Sequence, residues 1–509
     1  MRNDRFSVIS HNISFTLMIN NQSRTRQAFW LGIGSLVSFS FGIVSSAILS
    51  RILTVEEYGT YRQVLYVYST LLIVFTLGLP RAYSFFLARL PLEQGKKSIE
   101  KINTLFLLLG SVFSLLLFFG ANFIGTILKN PALPTCIHYF ALTPIFLLPV
   151  LGIESILATY KKTVYATLYI ILSRLFNLIC VVIPVIIWNG GANTAVLGFT
   201  VSSAICCWIG LFLERRPFKN TKTEKSTLSL INVLKYSFPL LLASIWAIMI
   251  NSAPQFFISR WYGTEAFAEF ANGFIELPFA GMVISAVSTV LLPEISRLSQ
   301  DESNIDRVLT IWRSSFEKSA KIIYPLAIFT CIFAPQIVEC LYGSKYTGAT
   351  AYFRLIVVIN LMRVVPYAPI MMGLDMGHKY AVANLIPALL AVILDLIWVY
   401  TFNNPYGIAA IQCFVILVCV TIMLFYIAQR TNVRVSFLLP VSFCSKIIIV
   451  SIISSLLAYL SVSLVFSVIN TFLQLLIGTI LFGIIYLLLC FSLKINYLDL
   501  FGHFIQKAK

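Results

Sequence analysis

Two arginines stand where hydrocarbon would surround them. Arg174 falls about halfway along the apolar run 163–188, and Arg363 about halfway along the run 350–374. A charged side chain at mid-bilayer costs about 2.5–3.5 kcal/mol even on the lenient insertion scale, so such groups face a wet cavity or a partner. Guanidinium stays charged when partly dehydrated and offers a fixed fork of donors that fits phosphate. Two such groups, one in each half of the chain, suit an anionic substrate. Three acids share the apolar runs: Glu154 near the inner end of 137–158, Glu276 near the outer start of 270–291, and Asp395 in the outer half of 380–400. Glu154 could pair with Arg174 and Asp395 with Arg363 as structural partners; otherwise the three acids are the candidates for a coupling ion. Arg51 and Arg260 sit at outer span edges, as interfacial anchors or as gate residues. Arg81, at the inner end of a span, marks topology first and could contact phosphate at an entry site.

Other chemistries find little support. No His-Glu-x-x-His occurs, and His11, His138, His378 and His503 form no metal cluster. Gly95-Lys96-Lys97-Ser98 resembles the end of a phosphate-binding loop, but Leu90 stands where its first glycine belongs. No metal, cofactor or catalytic group is expected, and the chain reads as a non-enzyme. Most of the ten cysteines lie in apolar runs as small hydrophobes. Only Cys136 and Cys340 approach the outer side, where a disulfide between them would be possible. Asn12-Ile13-Ser14 and Asn21-Gln22-Ser23 match the glycosylation sequon but fall on the expected cytoplasmic side.

The elements that must position these groups are membrane helices. The chain is 59% hydrophobic and 11% charged, against about 25% charged in soluble proteins. Each crossing takes roughly 20 apolar residues, and about fourteen such runs fit here. Alternate gaps between them carry most of the Lys and Arg, because loops kept in the cytoplasm retain those residues. The formal charge of +17 is therefore a record of orientation and not a nucleic-acid footprint. An even number of spans places both termini in the cytoplasm, and the first apolar run reads as a retained helix with no cleavable signal. In the connection 294–321, Ile305, Val308, Leu309, Trp312 and Phe316 recur at helical spacing, which predicts an amphipathic helix lying on the inner surface. Pro80, Pro149, Pro239, Pro366 and Pro369, within or beside spans, mark possible bending points.

The chain also repeats itself at an offset of about 209 residues. Ser50-Arg51 matches Ser259-Arg260, Glu56 matches Glu265, Tyr58 matches Phe267, and Gly198 matches Gly407. An even number of spans separates the copies, so they share one orientation, related by an axis along the membrane normal. The expected fold is an all-α polytopic membrane protein: two parallel pseudosymmetric six-helix bundles plus two C-terminal helices. Its expected segments are an N-terminal tail 1–27, a bundle 28–213, a linker 214–233, a second bundle 234–428, a linker with helices thirteen and fourteen over 429–492, and a tail 493–509. Such pairs of bundles enclose a cavity that opens to alternate sides.

The stretch from Gly32 to Arg51, followed by Leu53, Glu56-Glu57-Tyr58-Gly59 and Tyr61, resembles the opening of the polysaccharide-transport family. Leu77-Gly78-Leu79, Leu341-Tyr342-Gly343 with Tyr346 and Ala349, and Gly407-Ile408-Ala409-Ala410 extend the resemblance over nearly the whole chain. That family flips lipid-linked O-antigen and related glycan repeats. It sits in the superfamily of multidrug and toxin extruders and the lipid II flippase. The resemblance implies transfer of an undecaprenyl-pyrophosphate-linked oligosaccharide (an O-antigen, capsule or exopolysaccharide repeat) from the inner to the outer leaflet of the bacterial plasma membrane. A polysaccharide polymerase and chain-length machinery would be its partners in lipopolysaccharide assembly. The alternatives are a lipid II flippase or a cation-coupled multidrug exporter; a glycan polymerase would need a larger outer loop.

Overall fold

In the computed structural model, residues 24–76, 79–219, 221–299, 304–466 and 469–497 are described. The two sequons of the N-terminal tail lie outside these residues. The described residues are almost entirely helical and contain no strand. This is what a chain crossing hydrocarbon requires, since helices satisfy every backbone group internally. Among the described residues, ten helices are long and apolar enough to span a bilayer, or up to eleven counting one bent pair. The protein is a multi-pass membrane protein, and the exact count of fourteen remains an expectation. Large side chains such as Phe119, Trp208 and Phe491 are more than three-quarters exposed, as lipid-facing groups are.

The chain divides into two compact units, Met1–Ile248 and Met249–Lys509. The division falls inside one helix, Leu230–Phe257. In the first unit α1 (Arg24–Ile52) is followed by α2 (Val55–Thr76) and α3 (Leu79–Leu87). Thr54 and Glu57 form a capping box at the start of α2: Thr54 N donates to Glu57 Oε2 at 3.0 Å and Glu57 N to Thr54 Oγ1 at 3.2 Å. The long α4 (Leu92–Ile127) leads to a staircase of short helices, α5 (Leu133–Phe140), α6 (Thr143–Leu147) and α7 (Ile153–Thr159). Pro134 and Pro144 sit in the first turns of α5 and α6, and Pro149 in a 3-10 turn, Leu148–Val150, before α7; a first turn has no intrahelical partner for the N–H that proline lacks. The expected span 137–158 corresponds to one apolar stretch long enough to cross a bilayer, Leu133–Thr159, built from these short helical pieces. Then come α8 (Thr163–Ile187) and α9 (Ala192–Glu214), which pack on each other while α1 also packs along α8. Val150, Ile153, Leu157, Ala166, Tyr169, Cys207 and Leu213 form a buried cluster on these helices.

Residues 224–228 are strapped to the first turns of α4. Lys101 Nζ donates to the carbonyls of Ser226 and Leu228 at 3.0 and 3.1 Å. Thr227 donates through N and Oγ1 to Gln94 Oε1. α10 (Leu230–Phe257) follows and ends in a π turn over Ile258–Tyr262, with Gly263 at φ +87°.

The second unit continues with α11 (Gly263–Gly273), α12 (Pro278–Leu298), α13 (Ile305–Ile332), α14 (Ala334–Tyr342), α15 (Ala349–Met362) and α16 (Tyr367–Gly373). α17 (Gly377–Thr401) and α18 (Tyr406–Thr431) pair antiparallel, and after the short α19 (Val435–Leu438) the chain closes with α20 (Val441–Val465) and α21 (Thr471–Ser492). Two expected spans, 270–291 and 350–374, are interrupted. The apolar face Val308, Leu309, Trp312 and Phe316 is buried in protein, and its helix runs without a break into the span to Ile332. This corrects the expectation of a separate surface helix. α13 bends by 74° into α14, where Pro335 follows the turn. No disulfide joins Cys136 and Cys340; Cys136 Sγ instead donates to Asn193 Oδ1 at 3.0 Å.

Candidate functional site

In the first unit, Arg174 lies on α8 beside a cavity of about 230 Å³. Its Nε donates to Ser38 Oγ of α1 at 2.8 Å. The guanidinium is largely exposed, and its two terminal nitrogens make no hydrogen bond among the described residues. Glu154 of α7 lines the same cavity but forms no ion pair with Arg174 within 4 Å, contrary to one expected arrangement. Asn177, Ser173, Ser202 and Ser203 add polar groups to the wall. The end of α6, the turn after it and the start of α7 supply one wall of this space through Leu147, Val150, Leu151, Ile153 and Glu154. Sequence reasoning missed Ser38, a small polar residue in a Ser-rich apolar run with nothing to mark it.

In the second unit, Arg363 stands at a helix break. It caps α15 with φ −97° and ψ 60°; the chain bends at Val364-Val365 and reaches α16 through Pro366, whose backbone is extended. Pro366 cannot donate to a continuing helix and pushes Val365 toward extended backbone, which fixes the break here. The C-terminal end of α15 carries a partial negative charge that favours the guanidinium beside it. Glu276 lies in the second interruption, between α11 and α12, where Pro278 opens the following helix. Arg363 Nη1 and Glu276 Oε1 are 3.7 Å apart, with the arginine side chain 36% and the glutamate 63% exposed. The pair is loose and wet, and not a tight buried ion pair. The expected alternative, Arg363 with Asp395, does not form. Leu277-Pro278 was the signal for the second break that sequence reasoning passed over.

Asp395, on α17, is fully buried, and neither carboxyl oxygen has a hydrogen-bond partner. Gln412 of the adjoining α18 is likewise buried with its Oε1 unpartnered. The connecting turn puts the two residues at similar heights on antiparallel helices. Arg51, exposed, occupies the last turn of α1. Arg260 is half-buried, its guanidinium 5.1 Å from the Trp261 ring centre. Arg81 belongs to α3, but its side chain lies outside the described residues. No cluster of metal-ligating side chains occurs among the described residues.

The repeat glycines show one shared use. A side chain on Gly198 would meet the Cys180 carbonyl oxygen at 2.1 Å, and one on Gly407 would meet the Trp398 ring at 1.9 Å. Each lets its helix press against the antiparallel helix before it.

Among solved structures, the fold matches the lipid II flippase MurJ in an inward closed conformation. The TM-score is 0.68 at 16% identity, over 91% of this chain and 98% of that one. It also matches an inward-facing multidrug resistance MATE family transporter of the MOP superfamily (TM-score 0.60, 13% identity, 79% of this chain and 98% of that one). A MOP superfamily transporter from Pyrococcus furiosus aligns with TM-score 0.55 at 16% identity, over 81% of this chain and 97% of that one. No curated protein shows a significant sequence match. A family model described as polysaccharide biosynthesis protein matches residues 48–351, more than half of the sequence. The chain is a member of that polysaccharide biosynthesis protein family, built on the helical fold shared by these flippases and exporters.

Proposed function

We propose that the protein is a flippase and not an enzyme. Its substrate is an undecaprenyl-pyrophosphate-linked oligosaccharide, carried from the inner to the outer leaflet of a bacterial plasma membrane. The observation that carries this reading is Arg174: a guanidinium midway along an apolar helix, held by one serine, its outer fork without a hydrogen bond among the described residues and facing a cavity with polar groups in its wall. Hydrated sugar and pyrophosphate cannot cross hydrocarbon unaided, while a polyprenyl tail need never leave it. A guanidinium fork binds phosphate oxygens in pairs. Arg363 supplies the second cation, at the broken-helix position where transporters of many folds place their substrate sites. Its loose contact with Glu276 can open when a phosphate arrives. Arg51, Arg260 and Arg81 act at the two mouths of the path.

An inside-negative potential favours outward movement of phosphate by about 2.3 kcal/mol per charge per 100 mV. Asp395 with Gln412 is the place for a coupling cation or proton, since a bare carboxylate without partners is costly in this setting. Glu276 and Glu154 serve as secondary acids. Both termini lie in the cytoplasm, and a polymerase takes the product on the far side.

The test is genetic. A deletion strain should lose its surface glycan and accumulate the lipid-linked repeat on the inner leaflet. Plasmid-borne wild type restores export. Accumulation of unpolymerised repeat on the outer leaflet would assign the protein to polymerisation instead.

A further inference from the structure

The first unit carries a second cavity, of about 550 Å³, away from Arg174. Its walls come mainly from α4 and α9, with Ile145, Phe146 and Pro149 from the chain around the end of α6, and both long helices grade from charged to apolar in the same direction. On α4 the lining runs from Lys96 through Asn103 to Leu107; on α9 it runs from Arg215 and Glu214 back to Trp208. Eleven residues of helix, at 1.5 Å each, make this gradient roughly 16 Å long. Trp208 is 82% exposed at the apolar end. A site with ionic groups at one end and an aromatic, aliphatic wall at the other matches an amphiphile standing along the helices.

The charges at the polar end define the headgroup. Glu100 is already paired with Lys97 at 2.7 Å. Lys96 and Arg215 remain as cations on the rim. Glu214 is only 3% exposed, and its Oε2 accepts from Asn103 Nδ2 at 2.7 Å, while Asn103 in turn accepts from Tyr83. Glu214 Oε1 has no hydrogen-bond partner, yet the residue lines the cavity. The site therefore offers two cations to a phosphate and one buried acceptor to a donor. We propose that it binds a phospholipid with a primary ammonium headgroup, phosphatidylethanolamine, with phosphate on Lys96 and Arg215, ammonium on Glu214 and an acyl chain against Trp208. A choline headgroup has no N–H to give Glu214, and a glycerol headgroup has no charge to match it. The site is separate from the glycan path and does not depend on which glycan is carried.

The experiment uses the full chain in nanodiscs, with intrinsic fluorescence quenched by lipids brominated on the acyl chain. Brominated phosphatidylethanolamine should quench at lower mole fraction than brominated phosphatidylcholine or phosphatidylglycerol, by on the order of tenfold, the size of one charge-assisted hydrogen bond. Trp208→Phe should remove that increment, placing the lipid in this groove. Glu214→Gln should collapse the ethanolamine preference while leaving phosphatidylcholine binding unchanged. Should that variant fail to fold, the rim pair Lys96→Ala with Arg215→Ala decides: it should weaken both zwitterionic lipids equally. Equal quenching by all three lipids in the wild type would overturn the proposal. So would tighter phosphatidylglycerol binding that Glu214→Gln leaves unchanged, which would mark a plain anion site.

Discussion

Arg174 and Arg363 are held differently, and the difference predicts different mutant behaviour. Among the described residues Arg174 makes one hydrogen bond, to a neutral serine, and no carboxylate lies within ion-pair distance of it. Arg174→Ala should therefore lower glycan export at least tenfold while protein level and membrane insertion stay normal, as read by surface-glycan staining beside an immunoblot. Arg174→Lys keeps the charge but not the fork, and should restore only part of the export. Arg363 faces Glu276 at 3.7 Å, a contact too long and too exposed to contribute much stability. Glu276→Gln should leave the melting temperature within a degree or two while altering export kinetics. A large loss of stability in that variant would show the pair to be structural. The arginines were legible in the sequence because charge at mid-span is rare. Their partners were not: Ser38 is one serine among several, and Glu276 is distant from Arg363 in the chain.

Helix breaks were partly legible. Pro366 announces the gap after α15, because the chain cannot continue helical hydrogen bonding through it. Leu277-Pro278 announces the gap after α11 equally well, yet the apolar run around it reads as one span, since hydropathy does not see geometry. The same blindness hid the continuity of α13, whose polar first half looked like a surface element. There Trp312 and Phe316 are buried against protein, which periodicity alone cannot distinguish from burial against lipid headgroups. The glycine contacts give a sharper test of this scale. Gly198→Ala should cost about 1–3 kcal/mol by forcing α8 and α9 apart, measured as a drop in thermal midpoint in detergent. Gly281→Ala, where an added methyl meets nothing within 4 Å, should be silent in the same assay.

At the scale of the whole molecule, the repeat read at an offset of about 209 residues corresponds to two units with similar furniture. Each has a tightly packed antiparallel helix pair closed by a glycine, and each has interrupted helices beside a membrane-depth arginine. The family match and the fold likeness bear on the helical membrane fold, and no residue pattern in the chain identifies the sugar. The segment that leads into α10 is tied to α4 by Lys101, which a sequence cannot reveal because its acceptors are backbone carbonyls. Lys101→Ala should make residues 219–229 more sensitive to protease added to inverted membrane vesicles, and resistant as before in right-side-out vesicles. Cleavage from the right-side-out face would reverse the topology.

The central claim is that this protein moves a pyrophosphate-linked glycan across a bilayer by way of Arg174. Purified protein in liposomes can be given a polyprenyl-pyrophosphate oligosaccharide with a labelled sugar, and the outer-leaflet fraction followed with a glycan-cleaving enzyme. The account predicts equilibration between leaflets much faster than in protein-free liposomes, slowed at least tenfold by Arg174→Ala. Equilibration no faster than in empty liposomes, or a rate unaffected by Arg174→Ala, would contradict it.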